Sequence, residues 1–392
     1  MKINSLISFI LISLVFFGCK DNNSNKKPGM EEQKISYANT INPDDFKAVI
    51  DGDSINLYTL TNKNGLRADF TNYGQRLIAL HVPDKDGKMG DIVLGLPTLD
   101  GYMNGPKNNF GAVIGRYGNR IAKGKFSIKN TKYKLAKNNG ENHLHGGNIG
   151  FDAVIWKARQ TAPNKIEFTR VSPHMEEGYP GNLEVKVTYI LSDNNELKII
   201  YEAITDKTTI INLTNHSYFN LKNEGQGDVN DHVMMINASA YTPVDAGLIP
   251  IGTLESVEGT PFDFTSPKTI LTDLDSNNAQ MVIGGGYDHN FVLNESPKNS
   301  EGLVLAARVT EPISGRIMEV YTSEPGVQLY GGNFLNGSSI GKSGNPYMKR
   351  NAFCLETQHY PDSPNQSNFP STLLEPGDKY KSTTIYKFDV VK

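Results

Sequence analysis

The sequence predicts an all-β protein, built as one large antiparallel β-sandwich. Apolar and polar residues alternate in several short segments, most clearly in LEVKVTYIL (183–191), as they do in half-buried antiparallel strands. No segment longer than about ten residues keeps the 3.6-residue apolar period of a helix. The 37 glycines and 20 prolines interrupt the chain too often for long helices.

Turn signals join these segments into successive hairpins. The first turn, Asn64-Gly65, is a dipeptide that is typical of tight hairpin turns. The four predicted pairs are 55–60 with 66–70 around Asn64-Gly65, 77–82 with 91–96 around Asp86-Gly87, 154–160 with 165–171 around Pro163-Asn164, and 183–191 with 196–204 around SDNN. Strand-like segments continue to the C-terminus, so residues 46–392 are expected to form one domain.

The N-terminus predicts export and a lipid anchor. Residues 1–18 have one lysine and an apolar run that is too short to span a bilayer, as in a signal peptide. The end of this run, VFFGC, resembles the lipobox of bacterial lipoproteins, with Cys19 as the acylated residue and Phe16 where leucine is usual. Residues 19–45 are polar and indicate a flexible tether. The expected product is a membrane-anchored lipoprotein outside the cytoplasm, although an ordinary signal peptide containing a cysteine remains an alternative.

Charge and cysteine content exclude several classes of function. The net charge is −3 and the body of the chain has no run of lysine and arginine, which argues against a nucleic-acid partner and a polyanionic substrate. If Cys19 carries lipid, Cys354 has no intramolecular partner, and its apolar surroundings predict a small buried core residue.

Six polar segments interrupt the strand pattern and supply the candidates for chemistry. They are GRYGNRIAKG (115–124), NGENHLHGG (139–147), LTNHSYFNL (213–221), GGGYDHNF (284–291), EPGVQLYGGNF (324–334) and LETQHYPDSPNQ (355–366). His143 and His145 have the spacing of a metal-binding pair, but no convincing third and fourth ligands are evident, so no metal is expected. Gly284–Gly286 is interpreted as a flexible hairpin that presents Asp288.

The segment around His216 predicts a strand with one polar face. In an extended chain successive side chains point to opposite sides. Ile211 and Leu213 would therefore face the core, while the other face would carry the polar and ring-bearing side chains. The members of that face are Asn212, Thr214, His216 and Tyr218.

Taken together and in this order, the polar segments closely resemble the aldose 1-epimerases, or galactose mutarotases. The similarity runs from about residue 48 to the end and includes GRYGNRIAKGKF, NNGENHLHGGNIGFD, LTNHSYFNL, YDHNFVL, PGVQLYGGNF and LETQHYPDSPN. The resemblance implies a large antiparallel β-sandwich, in agreement with the strand pattern, and a neutral monosaccharide as substrate.

The resemblance also assigns roles to individual residues. It implies that Glu356 is the general base and His216 the general acid. The sugar-binding residues that it implies are Asn119, Arg120, His145, Asp288 and Gln328. At neutral pH this chemistry calls for an ionised Glu356 and a charged His216, on opposite edges of one pyranose, and for no metal or other cofactor. Trp156, Tyr179 and Phe291 are candidate platforms for stacking against the sugar, or else core residues.

Three other functions compete with the epimerase at this point. A non-catalytic sugar-binding lipoprotein would need Arg120 and Asp288 but not Glu356 and His216 together. A hexose-6-phosphate epimerase would need extra arginines for the phosphate, which Arg116 and Arg350 do not obviously supply. A glycoside hydrolase would require Asp288 and Glu356 to flank the scissile bond. The oligomeric state and the preferred aldose are left open.

Overall fold

Three antiparallel sheets form the framework of the protein, whose computed structural model describes residues 36–37 and 40–391. The largest sheet has nine strands, which in spatial order are Lys157–Ala162, Lys165–Ser172, Leu183–Leu191, Glu196–Thr205, Tyr380–Val390, Arg316–Thr322, Val304–Thr310, Val233–Ile236 and Lys268–Thr269. The five-stranded sheet consists of Glu255–Ser256, Ala238–Tyr241, Asp288–Leu293, Gly326–Tyr330 and Cys354–Gln358. The four-stranded sheet consists of Leu57–Thr61, Arg67–Thr71, Arg76–Pro83 and Met89–Asp91.

Short ladders and helices connect these sheets. The two-stranded ladders of the described residues are Ala48–Ile50 with Asp53–Ile55, Val113–Ile114 with Thr214–Asn215, Arg120–Ile121 with His143–Leu144, Lys125–Ile128 with Thr131–Lys134, and Thr209–Ile210 with Leu373–Leu374. The α-helices are Leu99–Asn104 and Ala279–Gly284, and the 3-10 helices are Pro43–Phe46, Ala122–Gly124, Phe151–Ala153, Glu176–Gly178, Ile270–Asp273 and Ser363–Asn365. Within the described residues, no helix is both long and apolar enough to cross a membrane.

One hydrophobic core joins the three sheets, which identifies the architecture as a β-sandwich. Val187 and Ile199 enter this core from the nine-stranded sheet, Val327 and Leu355 from the five-stranded sheet, and Phe70 from the four-stranded sheet. All five side chains are at most 1% exposed. Because burial of apolar surface is the main favourable term in folding, this shared core fixes how the sheets face each other. The predicted all-β sandwich is confirmed.

The predicted hairpins are present, with some changes in their limits. The strand Leu183–Leu191 has the predicted bounds and pairs with Glu196–Thr205. Its alternation holds except at Thr188, which is also buried. The predicted strand at 91–96 is shorter than expected: pairing ends at Asp91. After it the chain makes an isolated bridge from Val93.

The glycine run before Asp288 was interpreted wrongly. Gly284 ends the helix Ala279–Gly284, and Gly285 caps that helix in the left-handed conformation, with φ of 64°. The missed signal is Asn278, whose side chain accepts a hydrogen bond from the backbone N–H of Gln280, as an N-cap does. The segment that leads to Asp288 is thus a capped helix end and not a flexible hairpin.

The described residues begin within the segment 19–45, which was predicted as a tether. The C-terminal end of that segment packs on the domain. Ile41 is buried in a second core cluster, and Phe46 is fully buried in the same cluster. The Tyr37 hydroxyl donates a hydrogen bond to the backbone carbonyl of Gly65. The predicted signal peptide and the predicted lipidation site, Cys19, lie outside the described residues.

Candidate active site

A pocket of about 290 Å³ collects most of the candidate residues from distant parts of the chain. Those that line it are Asn119, Arg120, His145, His216, Asp288 and Glu356. Ligand pockets in proteins usually start at about 300 Å³, so this volume suits a single small ligand and not an extended polymer.

A larger depression lies elsewhere and lacks such a cluster. It has a volume of about 950 Å³ and is lined by residues of the nine-stranded sheet together with residues from 53–58, 72 and 155–156. Its charges neutralise one another: Glu202 pairs with Lys186 at 2.6 Å and with Lys379 at 2.5 Å. Trp156 is part of its lining, but none of the seven candidate catalytic and sugar-binding residues is. We therefore place the chemistry in the smaller pocket.

The register of the five-stranded sheet builds the floor of the pocket. Gln328 lies directly opposite Glu356 on one neighbouring strand and Asn290 on the other. Residues opposite each other in an antiparallel pair share a face, and so do residues two apart on a strand, which adds Asp288 to the same face. The intervening side chains, such as Val327, point into the core. The sheet thus has one apolar face and one polar face, and the polar face carries both carboxylates.

His216 and Glu356 meet in this pocket. Nε2 of His216 lies 3.5 Å from Oε1 of Glu356, and the two residues are 4% and 2% exposed. The imidazole stacks on the Tyr218 ring, with centroids 4.9 Å apart and an angle of 15° between the planes. Oε2 of Glu356 has no hydrogen-bond partner among the described residues, so this atom remains free to bind a ligand.

The predicted polar face around His216 is only half correct. His216 and Tyr218 line the pocket, as expected. Asn212 does not: its amide donates to the carbonyl of Gly118 and to that of His359. Pairing in this segment is limited to Thr214–Asn215, so the alternation of a longer strand does not apply. Ile211 and Leu213 are buried in the main core, as predicted.

Two neighbouring loops hold His145 in an uncommon backbone conformation. His145 has φ of 51° and Asn119 has φ of 63°, both in the left-handed region. The backbone N–H of His145 donates to the Asn119 carbonyl, and the N–H of Asn119 donates to Nδ1 of His145. The next residue must be glycine, because a Cβ on Gly146 would lie 1.8 Å from the carbonyl oxygen of Gly115. Such strain is often found where a side chain has to be aimed at a ligand.

This hydrogen bond also fixes the tautomer of His145. A neutral imidazole whose Nδ1 accepts a hydrogen bond carries its proton on Nε2. Burial, together with the neighbouring His216 and Arg120, holds the pKa of His145 well below its ordinary value, so the ring is neutral. His145 therefore presents a hydrogen-bond donor to the pocket.

Asp288 is held by two side chains. Nε2 of Gln328 donates to Oδ1 of Asp288 at 2.7 Å, and Nη1 of Arg120 lies 4.0 Å from Oδ2. Nε of Arg120 donates in turn to the side-chain oxygen of Asn139. Gln328 is 3% exposed and does not line the pocket. The structure thus places Gln328 behind Asp288 and not at the pocket wall.

Burial shifts the pKa values of the central pair against the charges that the resemblance implies. Desolvation, reinforced by the negative charge of Asp288, raises the pKa of Glu356 well above its ordinary value, against the opposing effect of Arg120. Desolvation lowers the pKa of His216 to about 3, which outweighs its own backbone carbonyl. Both shifts favour a protonated Glu356 beside a neutral His216, because two separate charges are costly in a buried site.

His143 and His145, which have metal-pair spacing in the sequence, do not share one site. Nδ1 of His143 faces the Ala136 carbonyl, and its Nε2 lies 2.6 Å from the Tyr179 hydroxyl. A different trio comes together, with potential ligand atoms of His145, His216 and Glu356 within 4.8 Å of one another. Since His145 presents a donor N–H to the pocket, the trio fits a ligand with oxygen acceptors better than a cation.

Of the two alternatives for Trp156, Tyr179 and Phe291, the structure supports core residues and not platforms at the pocket. Trp156 and Tyr179 are 1% exposed and Phe291 is fully buried, so all three belong to the interior. Phe334 lines the pocket instead, is 61% exposed and stacks on Tyr330. Its sequence signal was weak, because the segment YGGNF gives no alternation that would show which way the ring points.

Known proteins resemble this chain over most of its length. Residues 56–387 match the family model described as aldose 1-epimerase. The galactose mutarotase of Bos taurus is 49% identical over 325 residues, which cover 83% of this chain and 92% of the bovine protein. The aldose 1-epimerase of Escherichia coli K12 is 37% identical over 340 residues, covering 86% and 96% of the two chains.

Solved structures give the same result. A GalM/aldose epimerase homologue from C. elegans has a TM-score of 0.78 at 31% identity, and covers 86% of this chain and 99% of its own. A galactose 1-epimerase from Lactobacillus acidophilus has a TM-score of 0.77 at 30% identity, with coverages of 88% and 97%. On the strength of these matches, and of a sandwich whose polar pocket collects the family's motif residues, this chain belongs to the aldose 1-epimerase family.

Proposed function

We propose that the protein is an aldose 1-epimerase that interconverts the α and β anomers of free aldohexoses of the glucose or galactose type. The observation that carries the proposal is the contact of 3.5 Å between Nε2 of His216 and Oε1 of Glu356 inside a pocket of about 290 Å³. Family membership and relatives named galactose mutarotase support the same activity.

The adjacency of the two groups suits the reaction. Ring opening removes a proton from the C1 hydroxyl and delivers one to the ring oxygen, and both oxygens are bonded to C1. A carboxylate and an imidazolium that lie side by side at one edge of the sugar can therefore serve both oxygens. The sequence-based expectation was that Glu356 and His216 lie at opposite edges of the sugar. We assign Glu356 as the base and His216 as the acid, with reversed roles on ring closure. Each such group typically contributes a factor of about 10²–10⁴.

The neutral resting pair is compatible with this assignment. A protonated Glu356 beside a neutral His216 holds the same number of protons as an ionised Glu356 beside a charged His216. Transfer of one proton between the two side chains converts the first form into the second with no change in net charge. The pair can thus enter the reaction without taking a proton from solvent.

The remaining pocket residues bind the sugar in this proposal. His145 donates from Nε2, Arg120 supplies a guanidinium, and Asp288 accepts from sugar hydroxyls. Asn119 contributes by orienting the His145 ring, because its backbone N–H donates a hydrogen bond to Nδ1. Gln328 acts through Asp288, which it orients.

A neutral sugar fits the pocket better than a sugar phosphate. Arg116 is committed to backbone carbonyls, with 3.0 Å to that of Pro180 and 2.7 Å to that of Ser172. Neither Arg116 nor Arg350 lines the pocket. The cations at the pocket are Arg120, which faces Asp288, and Lys107 at its lining. A phosphate dianion usually calls for more arginine than this.

Polarimetry of freshly dissolved α-D-glucose and α-D-galactose tests the proposed activity. We expect Glu356→Gln and His216→Asn each to lower kcat by at least about 100-fold, while sugar binding measured by calorimetry changes far less. Gln358→Glu, on the same strand face as Glu356, is a control for a misplaced carboxylate and should not restore activity to Glu356→Gln. Sugar binding with no epimerisation by the wild-type protein would favour the non-catalytic binding protein.

We further infer that the protein is exported and anchored by lipid on Cys19. The support is the sequence alone: an apolar run of signal-peptide length, the lipobox-like VFFGC and a polar tether. Fractionation of expressing bacteria tests this inference, with Cys19→Ala expected to move the protein from the membrane to the soluble fraction. Cys354→Ala serves as the matched control and should leave the protein in the membrane fraction. A membrane-bound Cys19→Ala protein would contradict the inference.

A further inference from the structure

The imidazole of His216 touches a second side chain, on the nitrogen that faces away from Glu356. Nδ1 of His216 lies 3.5 Å from Sγ of Cys354, while Nε2 lies 3.5 Å from Oε1 of Glu356. Cys354 and Glu356 are two residues apart on one strand and so share the polar face of the five-stranded sheet. Residues of one strand thus contact both nitrogens of the His216 ring.

The thiol is buried and neutral. Cys354 is fully buried. Desolvation, followed by the negative charges of Glu356 and Asp288, holds the pKa of the thiol well above its ordinary value. The sulfur is therefore neither a nucleophile nor a counter-ion for His216. What it can offer is a weak hydrogen bond, as acceptor or as donor.

The role proposed above for His216 decides between these two possibilities. An acid that acts through Nε2 alternates between a ring protonated on both nitrogens and a ring protonated on Nδ1 alone. Nδ1 must then keep its proton throughout and needs an acceptor beside it. If the thiol donated to Nδ1 instead, the neutral ring would carry its proton on Nε2 and could not take one from Glu356.

We propose that Cys354 is a positioning residue whose sulfur accepts the Nδ1–H of His216, so that Nε2 remains the nitrogen that exchanges protons with Glu356 and the sugar. This inference rests on the proposed function for its kinetic consequence but not for the tautomer itself. A carboxylate beside Nδ1 would also orient the ring, but its negative charge would stabilise the imidazolium. A neutral sulfur acceptor orients the ring without that charge. The contact therefore directs the ring and leaves it neutral at rest.

Nitrogen-15 NMR of the histidine rings tests the tautomer directly on the wild-type protein. His216→Asn identifies the His216 signals by their loss. We expect a neutral ring with its proton on Nδ1 and an unprotonated Nε2 in the wild type and in Cys354→Ser, whose hydroxyl can also accept. In Cys354→Ala we expect a mixture of both tautomers. A wild-type ring protonated on Nε2 would overturn the proposal, whether or not the protein proves to be an epimerase.

Kinetics of the same variants test the consequence. Cys354→Ala should lower kcat by about 3- to 10-fold with KM within about twofold, as for the loss of one neutral hydrogen bond, and Cys354→Ser should restore kcat. Leu355→Val removes one heavy atom from the same strand on its opposite, core-facing side and should leave kcat unchanged. Wild-type kcat in Cys354→Ala, or an equal loss in Leu355→Val, would reduce Cys354 to a core residue and refute the proposal.

Discussion

Replacement of Gln328 by leucine should weaken sugar binding although Gln328 does not line the pocket. The amide donates to Oδ1 of Asp288 at 2.7 Å, and this bond lowers the pKa of Asp288 against the effect of burial, which raises it. A hydrogen bond from a sugar hydroxyl to the charged carboxylate, which requires Gln328 to hold Asp288 in place, contributes about 1.5–3 kcal/mol. Its loss corresponds to an increase in KM of about 10- to 100-fold, at 1.4 kcal/mol per factor of ten.

The pH dependence gives this prediction a second signature. Without the amide the pKa of Asp288 rises, so the carboxyl becomes protonated at a higher pH than in the wild type. Because we assign the ionised form to sugar binding, the KM of Gln328→Leu should increase further as the pH falls, over a range where the wild-type KM is constant. Polarimetry at several pH values and sugar concentrations measures both effects.

Gln358→Leu is the matched control. Gln358 is fully buried on the neighbouring strand and donates to the side-chain oxygens of Asn290 and Gln328, at 3.2 and 3.5 Å, but not to Asp288. Both variants leave buried polar atoms unpaired and should lose about 1–3 kcal/mol of stability in urea unfolding. We expect a KM within about threefold of wild type for Gln358→Leu. An unchanged KM in Gln328→Leu, or an equal increase in both variants, would refute the role of Gln328.

Three further predictions concern pH, stability and the pocket aromatic. The profile of kcat/KM against pH should be bell-shaped. Its acid limb should lie well below the ordinary imidazole pKa of about 6.5, because burial lowers the pKa of His216, and its alkaline limb should mark the loss of the proton that Glu356 and His216 share. An acid limb at the ordinary imidazole value would contradict the prediction. Lys342→Met should lower the free energy of unfolding by about 3–5 kcal/mol, because it leaves the buried carboxylate of Asp91 without its cation. Nζ of Lys342 lies 2.7 Å from Oδ2 of Asp91, and both side chains are 1% exposed. A loss below about 1 kcal/mol in urea titration would argue against a buried ion pair. Phe334→Ala should raise KM by about 3- to 10-fold, because the ring lines the pocket. The ring is 61% exposed, so Tm should shift by no more than about 2 °C. A large fall in Tm would instead indicate a structural role.

Local pattern was a good guide wherever a strand has one buried face. Leu183–Leu191 has its predicted bounds because a core on one side alone imposes strict alternation. The same rule failed near His216, where both sides of the chain are buried and the only ladder, Thr214–Asn215, is flanked by isolated bridges at Asn212 and Phe219. At 284–286 the glycines were visible, but the helix before them was too short for its period to be detected.

The identity of the pocket residues came from motifs, and their arrangement came from the fold. Six of the seven candidates line one pocket, and the seventh, Gln328, stands one layer behind. The contact between Cys354 and His216 joins residues 138 positions apart, and no spacing in the sequence indicates it. Nor could composition show that Phe334 is exposed while Trp156 is buried.

Local alternation and turn chemistry were enough to predict the all-β class and the main hairpins, and the motifs identified most of the side chains that line the pocket. The protonation of the central pair could not be predicted in this way. Protonation depends on desolvation and on charges brought together from distant strands, and burial of Glu356 and His216 in one pocket raises the pKa of the carboxyl and lowers that of the ring, which favours the neutral form of both.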